Sequence, residues 1–253
     1  EKKRIGIEHI NDPSRQGDVL TLLIHCFRGG AVNYPVALSL SGILEEILQL
    51  RVESIPNDDG ILLVLPRLDG TDPWTLLQTA LRQLSDPAAA RAALYKRLEA
   101  SGLFGAAFRQ AAGRAMLLPK NGIGKRTPLW ITRRRSKRLF EAVKSYQNFP
   151  VSAEAWRTCL VDFFDMQGFE ELCRELAEGS IELYFFQSRM PSPFAREAVW
   201  RETNRFLYEG DDQRENRGIS LSDSLIEQAL GEERLRPALP VSLVQDFEHR
   251  LKR

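Results

Sequence analysis

The chain has 253 residues, of which 35 are Lys or Arg and 34 are Asp or Glu, giving a formal net charge of +1. This length suggests one large domain or two small ones, and 43% hydrophobic residues allow a sizeable core and exclude global disorder. No run of about 18 apolar residues is present, so we expect no membrane helix. We also expect no signal peptide, because residues 5–9 form no apolar h-region. The missing initiator Met and the basic end Arg250-Leu251-Lys252-Arg253 favour a fragment cut from a longer chain.

The cysteines and histidines argue against metal and nucleophile chemistry. Cys26, Cys159 and Cys173 lie in apolar segments without CxxC spacing, so we expect reduced core residues of a cytosolic protein. The three histidines form no zinc-ligand pattern. His25 and Cys26 are neighbours on a predicted strand, so their side chains should point to opposite faces rather than form a catalytic pair.

The first 66 residues predict a four-stranded antiparallel sheet that carries one helix. The strands are predicted at 4–10, 19–26, 51–55 and 61–65, where apolar or alternating runs are bounded by turn residues. Residues 57–60 read Asn-Asp-Asp-Gly, which is a hairpin signal between the last two strands. Pro35 is predicted to open the helix.

From Asp72 onward the pattern becomes helical. Asp72-Pro73 and Asp86-Pro87 are predicted to cap helices that run to Leu84 and to about Ala100. Further helices are predicted at 104–117, 127–146, 152–164, 168–178, 194–209, 220–230 and 240–252, with one late strand at 181–187. The predicted fold is therefore α+β, with a β-rich subdomain at 1–70 and a mostly helical body at 71–253.

The near-neutral total charge conceals one strongly basic segment. Residues 109–144 hold 11 basic residues and a single acid, Glu141, for a net charge of +10. Residues 1–108 have a net charge of −2, and residues 145–253 a net charge of −7. The positive charge is therefore concentrated in residues 109–144, although the total charge of the chain is close to zero.

The basic segment contains a predicted helix with two distinct faces. At about 100° per residue, one face is apolar or small and the other is basic. The first face carries Leu129, Thr132, Ser136, Leu139, Phe140 and Val143. The second carries Trp130, Arg133, Arg134, Lys137, Arg138 and Lys144. A structural tryptophan would normally join the apolar stripe, whereas Trp130 lies among the cations.

This face has three interpretations. Cations that neutralise phosphates beside an aromatic stacking surface are typical of single-stranded nucleic-acid binding. Lys120, Lys125 and Arg126 would extend that positive surface into the preceding loop. Alternatively, the face is solvated and Trp130 packs against a neighbouring domain, or the face binds an acidic protein partner.

Motifs for nucleotide hydrolysis are absent from this sequence. Gly122-Ile123-Gly124-Lys125-Arg126 has Pro119 where a Walker A motif needs its first glycine, and Arg126 where it needs Ser or Thr. No DExH, GxSxG or zinc-deaminase motif is present. We expect no catalytic residue and no bound cofactor in this chain.

Several ordered motifs resemble the Lhr (large helicase-related) superfamily 2 helicases. They are Phe27-Arg28-Gly29-Gly30-Ala31-Val32-Asn33-Tyr34-Pro35, Asp58-Asp59-Gly60, Leu103-Phe104-Gly105-Ala106, Phe108-Arg109, Ala112-Gly113-Arg114-Ala115-Met116-Leu117-Leu118-Pro119, Arg126-Thr127-Pro128-Leu129-Trp130, Ser192-Pro193-Phe194-Ala195 and Tyr208-Glu209-Gly210-Asp211. The region they resemble is the DEAD/DEAH-associated region that follows the motor and winged-helix domains.

The resemblance implies an ATP-dependent helicase that moves 3′ to 5′ on single-stranded DNA and unwinds duplexes, RNA:DNA hybrids included, in DNA repair. ATP and Mg²⁺ would bind the parent's RecA-like motor domains, so the parent and not this chain would be the enzyme. This chain would help form the strand channel. The alternative is a docking module that contacts the RecA-like and winged-helix domains without touching nucleic acid. We predict nucleic-acid contacts at Lys120, Lys125, Arg126, Trp130, Arg133, Arg134, Lys137 and Arg138.

Overall fold

The structure is a computed structural model that describes residues 3–10, 19–66, 70, 72–119, 128–146, 148–188 and 192–198. Its strands are β1 (Lys3–Ile10), β2 (Val19–His25), β3 (Glu53–Pro56), β4 (Gly60–Pro66) and β5 (Ile181–Ser188). Its helices are α1 (Gly30–Leu48), α2 (Pro73–Leu84), α3 (Pro87–Glu99), α4 (Gly102–Arg114), α5 (Leu129–Val143), α6 (Pro150–Arg157) and α7 (Met166–Ala177). A π-helical turn, Thr158–Phe163, follows α6, and residues 193–198 are helical.

The predicted α+β class is confirmed, but the sheet has five strands in the order β3-β4-β2-β1-β5. The four N-terminal strands pair antiparallel, as expected. The late strand β5 joins them as an edge strand parallel to β1, with Ile5 opposite Leu183, so the sheet is mixed. Parallel pairing needs a long crossover connection, and no local sequence signal indicates which strand it reaches.

Apolar side chains cover both faces of the sheet. On one face, Ile7, Leu22 and Leu63 belong to the main core, which the helices complete. On the other face, Leu23 and Leu62 pack with Ala195 and Ala198. The main core takes residues from both sides of position 70, and the division of the chain at that position stays a prediction.

The start of α1 corrects the prediction for Pro35. The helix begins at Gly30, which places Pro35 inside it. A proline in a helix leaves the carbonyl four residues earlier without its usual partner. Here the Ala31 carbonyl accepts a hydrogen bond from the Asp165 amide at 3.0 Å, so the tertiary structure supplies the missing donor.

The residues before α1 hold its N-terminus against the turn between β3 and β4. Gly29 has a φ of 83°, which favours glycine, and the Gly30 amide donates to the Asp58 carboxylate at 2.8 Å. The fully buried Asn33 side chain donates to the carbonyls of Cys26 at 2.7 Å and Asn57 at 2.8 Å. These bonds join β2, the turn and α1 into one unit.

Helix caps explain why the helical boundaries were predictable in α2 and α3. The Asp72 side chain accepts from the Thr75 amide at 2.8 Å, and the Asp86 side chain accepts from the Ala88 amide at 3.0 Å. The helix predicted at 104–117 runs instead from Gly102 to Arg114 after the Ser101 cap. The predicted helices at 220–230 and 240–252, and the part of 194–209 after residue 198, lie outside the described residues.

All three cysteines are free and buried, as predicted. Burial raises the pKa of Cys159 to about 11 and that of Cys173 to about 12, so both thiols stay protonated. Within the described part of the chain, no helix has both the length and the apolar character needed to cross a bilayer.

A buried carboxylate joins three strands and the segment that follows β5. Glu8 of β1 is fully buried, and it lies 3.1 Å from His25 Nε2 on β2. It also accepts hydrogen bonds from the Ser188 hydroxyl at 2.7 Å and the Ser192 amide at 2.8 Å. Burial alone would raise the pKa of Glu8, but the hydrogen bonds from His25, Ser192 and Ser188 outweigh it and lower the pKa to about 2.

We predict that Glu8→Ala destabilises the fold in a pH-dependent way. Because the folded pKa lies below the ordinary value of 4.5, the carboxylate stabilises the fold fully above about pH 5 and progressively less as the pH falls toward 2. The loss should be about 3 kcal/mol at pH 6 and about 2 kcal/mol at pH 3.5 by urea denaturation. An equal loss at both pH values would contradict this role.

Candidate nucleic-acid interface

The basic helix α5 is attached to the rest of the fold along a narrow stripe. The Phe140 ring lies 5.3 Å from the Phe104 ring and 5.1 Å from the Phe108 ring of α4, measured between centroids. Ser136, at 3% exposed, is the one residue of α5 that is fully buried. The predicted apolar face agrees with this packing except at Leu129, which is exposed in the first turn.

The opposite side of α5 is open to solvent. Arg133, Arg134, Lys137 and Arg138 are exposed, as their predicted positions on the helix required. Trp130 is 50% exposed in the first turn of α5, and its ring stacks on no other aromatic ring among the described residues. The interpretation in which Trp130 packs against a neighbouring domain stays a prediction.

The exposed cations of α5 differ from many other described basic residues, which are held in salt bridges. Among the described residues, no carboxylate forms a salt bridge with any residue of the run from Arg133 to Arg138. Salt bridges elsewhere join Lys3 and Arg28 to Glu175, Arg4 to Glu182, Arg91 to Glu170, Lys96 to Glu46, Arg97 to Glu45, Arg114 to Glu154, Lys144 to Glu99, and Arg157 to Glu154 and Asp162. Within the described part of the chain, the cations from Arg133 to Arg138 are thus available to pair with an anionic ligand.

The structure brings together five of the eight residues predicted to contact nucleic acid. Trp130, Arg133, Arg134, Lys137 and Arg138 share the open side of α5. Lys120, Lys125 and Arg126 lie outside the described residues. Whether any of the eight contacts nucleic acid stays a prediction.

Two basic residues near this surface were not among the predicted contacts. Arg135 is also exposed on α5, and its angle on the helix falls between the two predicted faces. On α4, burial and then the positive charge of Arg133 lower the pKa of the Arg109 guanidinium. The sequence indicates only that Arg109 belongs to the basic segment 109–144. The packing of α4 on α5 is needed to show that Arg109 is near the basic helix.

The other polar clusters among the described residues are not arranged for hydrolysis. His25 faces Glu8, whereas the Cys26 thiol lies in the main core, so the two side chains point to opposite faces as predicted. The Ser188 hydroxyl donates to the Glu8 carboxylate rather than to the imidazole, so it is not arranged as an activated nucleophile. The described residues contain no cluster of three or more metal-ligating side chains.

A second exposed feature is the aromatic patch, which consists of Phe27, Tyr184, Phe186 and Phe194 around His25. The Phe27 and Phe194 rings are 5.4 Å apart, and the His25 ring lies 5.9 Å from both Phe186 and Phe194. Phe27 is 62% exposed and Tyr184 is 63% exposed. The patch lies on the sheet face that Glu8 shares, away from the main core.

Comparison with known proteins relates the whole of this fold to one family. Residues 1–195 match the family described as DEAD/H associated. The chain is 31% identical over 235 residues to the Lhr helicase/uracil glycosylase of Escherichia coli (strain K12), covering 92% of this chain and 15% of that protein. It is 30% identical over 234 residues to the Lhr helicase/probable uracil glycosylase of Mycolicibacterium smegmatis, covering 91% of this chain and 15% of that protein.

A solved structure supports the same relationship. The Mycobacterium smegmatis helicase Lhr, in its complex with ssDNA and AMP-PNP, matches with a TM-score of 0.66 at 29% identity, covering 77% of this chain and 24% of that chain. The chain spans about 15% of the length of the two curated relatives. The resemblance that the ordered motifs indicated is thereby confirmed. This chain belongs to the DEAD/H-associated family and corresponds to the accessory region of Lhr-type helicases.

Proposed function

We propose that this chain is the DNA-binding accessory region of an ATP-dependent 3′ to 5′ helicase that acts in DNA repair in the cytoplasm. In this proposal the region helps form the channel for the single strand, on DNA duplexes and on RNA:DNA hybrids. ATP and Mg²⁺ bind the RecA-like motor domains of the longer protein. No described residue of this chain takes a part in that chemistry.

The observation that carries the proposal is the run of exposed cations on α5 that forms no salt bridge with any described residue, beside the half-exposed Trp130. Cations that have no carboxylate partner give up no existing ion pair when they bind phosphates, whereas a cation in a salt bridge must first leave its partner. Release of the counterions condensed on the strand then favours binding. The relative solved with ssDNA supports nucleic acid as the ligand class.

The two groups on α5 would play different parts. Arg133, Arg134, Lys137 and Arg138 would neutralise backbone phosphates without reading the sequence, which suits a helicase that moves along any strand. Trp130 would offer its ring to one base, and stacking of this kind is worth about 1–3 kcal/mol per base. Because Trp130 lies at the start of α5, it would mark one end of the bound segment.

A second function is favoured by the aromatic patch. We propose that this patch docks against another domain of the same helicase, since aromatic side chains are enriched in the cores of protein interfaces. The nearby cations Arg4 and Arg28 are already paired with Glu182 and Glu175, so the patch suits an apolar protein surface better than a polyanion. The relatives are far longer than this chain, which provides candidate domains.

The nucleic-acid proposal predicts that Arg133→Ala, Arg134→Ala and Lys137→Ala together weaken binding of an oligo-dT strand. The dissociation constant should rise at least about tenfold at low salt. The slope of log affinity against log salt should become shallower by about 2, since three phosphate contacts are lost. Fluorescence anisotropy across a salt series measures both quantities, and circular dichroism verifies that the variant folds.

The matched control removes three exposed cations that already have acidic partners. Arg91→Ala, Lys96→Ala and Arg157→Ala together lower the net charge by the same amount, and each loses a surface salt bridge that contributes about 1 kcal/mol or less. This control should keep most of the affinity. Unchanged affinity and salt slope in the α5 variant, or equal losses in both variants, would overturn the proposal.

The docking function predicts different solvent protection in the isolated chain and in the full-length helicase. Hydroxyl-radical oxidation should modify Phe27, Tyr184 and Phe194 readily in the isolated chain and several-fold more slowly in the full-length protein. Phe169 is fully buried and should react slowly in both, which makes it the internal reference. Equal oxidation of the aromatic patch in the two proteins would rule out docking at this surface.

A further inference from the structure

Arg109 is a partly buried cation for which the described part of the chain provides no carboxylate partner. It lies on α4, and among the described residues no carboxylate forms a salt bridge with it. Removing a guanidinium group from water is costly unless another group compensates its charge. By comparison Arg97, which is also partly buried, donates to the Glu45 carboxylate at 2.9 Å.

The packing of α4 on α5 brings Arg133 to the border between the two helices. Phe108 precedes Arg109 on α4, and its ring contacts the Phe140 ring of α5. Arg133 comes seven residues before Phe140, so it lies about two turns away along α5 and within about 20° of the same side. Arg133 therefore lies where the open side of α5 borders α4, the helix that carries Arg109.

The electrostatics of Arg109 are consistent with this neighbour. Burial lowers the pKa of the Arg109 guanidinium, and the positive charge of Arg133 lowers it further. No described acid is among the groups that act on it. Two like charges thus converge from two helices, and an anion between them would relieve both the repulsion and the burial cost.

We propose that Arg109 and Arg133 bind one backbone phosphate of the single strand between them. This inference rests on the proposed nucleic-acid function and adds α4 to the interface. A guanidinium presents its donors in a planar fork that matches two phosphate oxygens, so two arginines can hold one phosphodiester from both sides. Arg109 is the fixed half of the pair, because its partial burial limits the positions it can adopt.

The pair also selects one path for the strand over α5. Arg134 and Arg138 lie about 100° and about 140° around α5 from Arg133, so they face away from α4. A strand held between Arg109 and Arg133 runs along the groove between the two helices. On this path Lys137, which lies about 40° from Arg133, contacts the next phosphate, and Arg134 and Arg138 contact phosphates from the side of the strand away from α4.

The test compares Arg109→Gln with Arg82→Gln in oligo-dT binding. Arg82 is exposed on α2, and the described residues give it no salt bridge, so its variant removes the same charge far from the proposed site in sequence. Arg109→Gln should raise the dissociation constant about tenfold or more, as expected for a lost hydrogen-bonded ion pair, and Arg82→Gln should raise it less than about twofold. The melting temperature of free Arg109→Gln should stay equal or rise, because a like-charge repulsion is removed.

Double-variant cycles separate this inference from the broader proposal. When Arg109→Gln and Arg133→Gln are combined, the dissociation constant should rise by less than the product of the two single fold increases, since either change already breaks the shared site. When Arg109→Gln and Arg134→Gln are combined, the two fold increases should multiply. Normal affinity of Arg109→Gln, alongside weak binding by the α5 triple variant, overturns the shared site and leaves the proposed function intact. If neither Arg109→Gln nor the α5 triple variant loses affinity, both the shared phosphate site and the proposed nucleic-acid function are wrong.

A conservative variant tests whether Arg109 has only a structural role. Arg109→Lys keeps the charge but loses the planar fork. We therefore expect its affinity to lie between that of the parent chain and that of Arg109→Gln, at an unchanged melting temperature. If Arg109→Gln and Arg109→Lys lower the melting temperature and full affinity returns at a temperature where both are folded, Arg109 is structural and the inference is wrong.

Discussion

The contact of Phe140 with Phe104 and Phe108 determines how the basic helix is presented. Because Phe140 lies on one side of α5, that side of the helix faces α4, and the cations on the other side face solvent. The same contact brings Arg133 to the edge of α4, where Arg109 lies. The basic surface is therefore fixed by apolar packing, and its charge is free to act on a ligand.

The rest of the fold holds α4 in place by joining segments that are distant in sequence. The Ala31 carbonyl accepts from Asp165, and Glu8 accepts from Ser188 and Ser192. These bonds connect the first strand and helix to residues more than 130 positions later. The sheet and the helical body thus share one main core, and α4 contributes Phe104 and Phe108 to it.

Local chemistry made much of this architecture predictable. Asp72 and Asp86 cap α2 and α3 where the sequence indicated, because a cap depends on a few adjacent residues. The two sides of α5 followed from helical periodicity alone. Pro35 was misassigned, because its position inside α1 depends on the distant Asp165 amide, and the parallel pairing of β5 with β1 likewise has no local signal. Arg109 was missed for the same reason, since its neighbour Arg133 is on another helix.

The central claim is that the strand lies on α5, in the groove that it forms with α4. Photo-crosslinking of an oligonucleotide that carries 4-thiothymidine, followed by mass spectrometry of the peptides, tests this claim most directly. The account predicts crosslinks on the peptide that contains Trp130 and on the α4 peptide that contains Arg109. Crosslinks confined to the aromatic patch around Phe27 and Phe194, with none on α5, would contradict it.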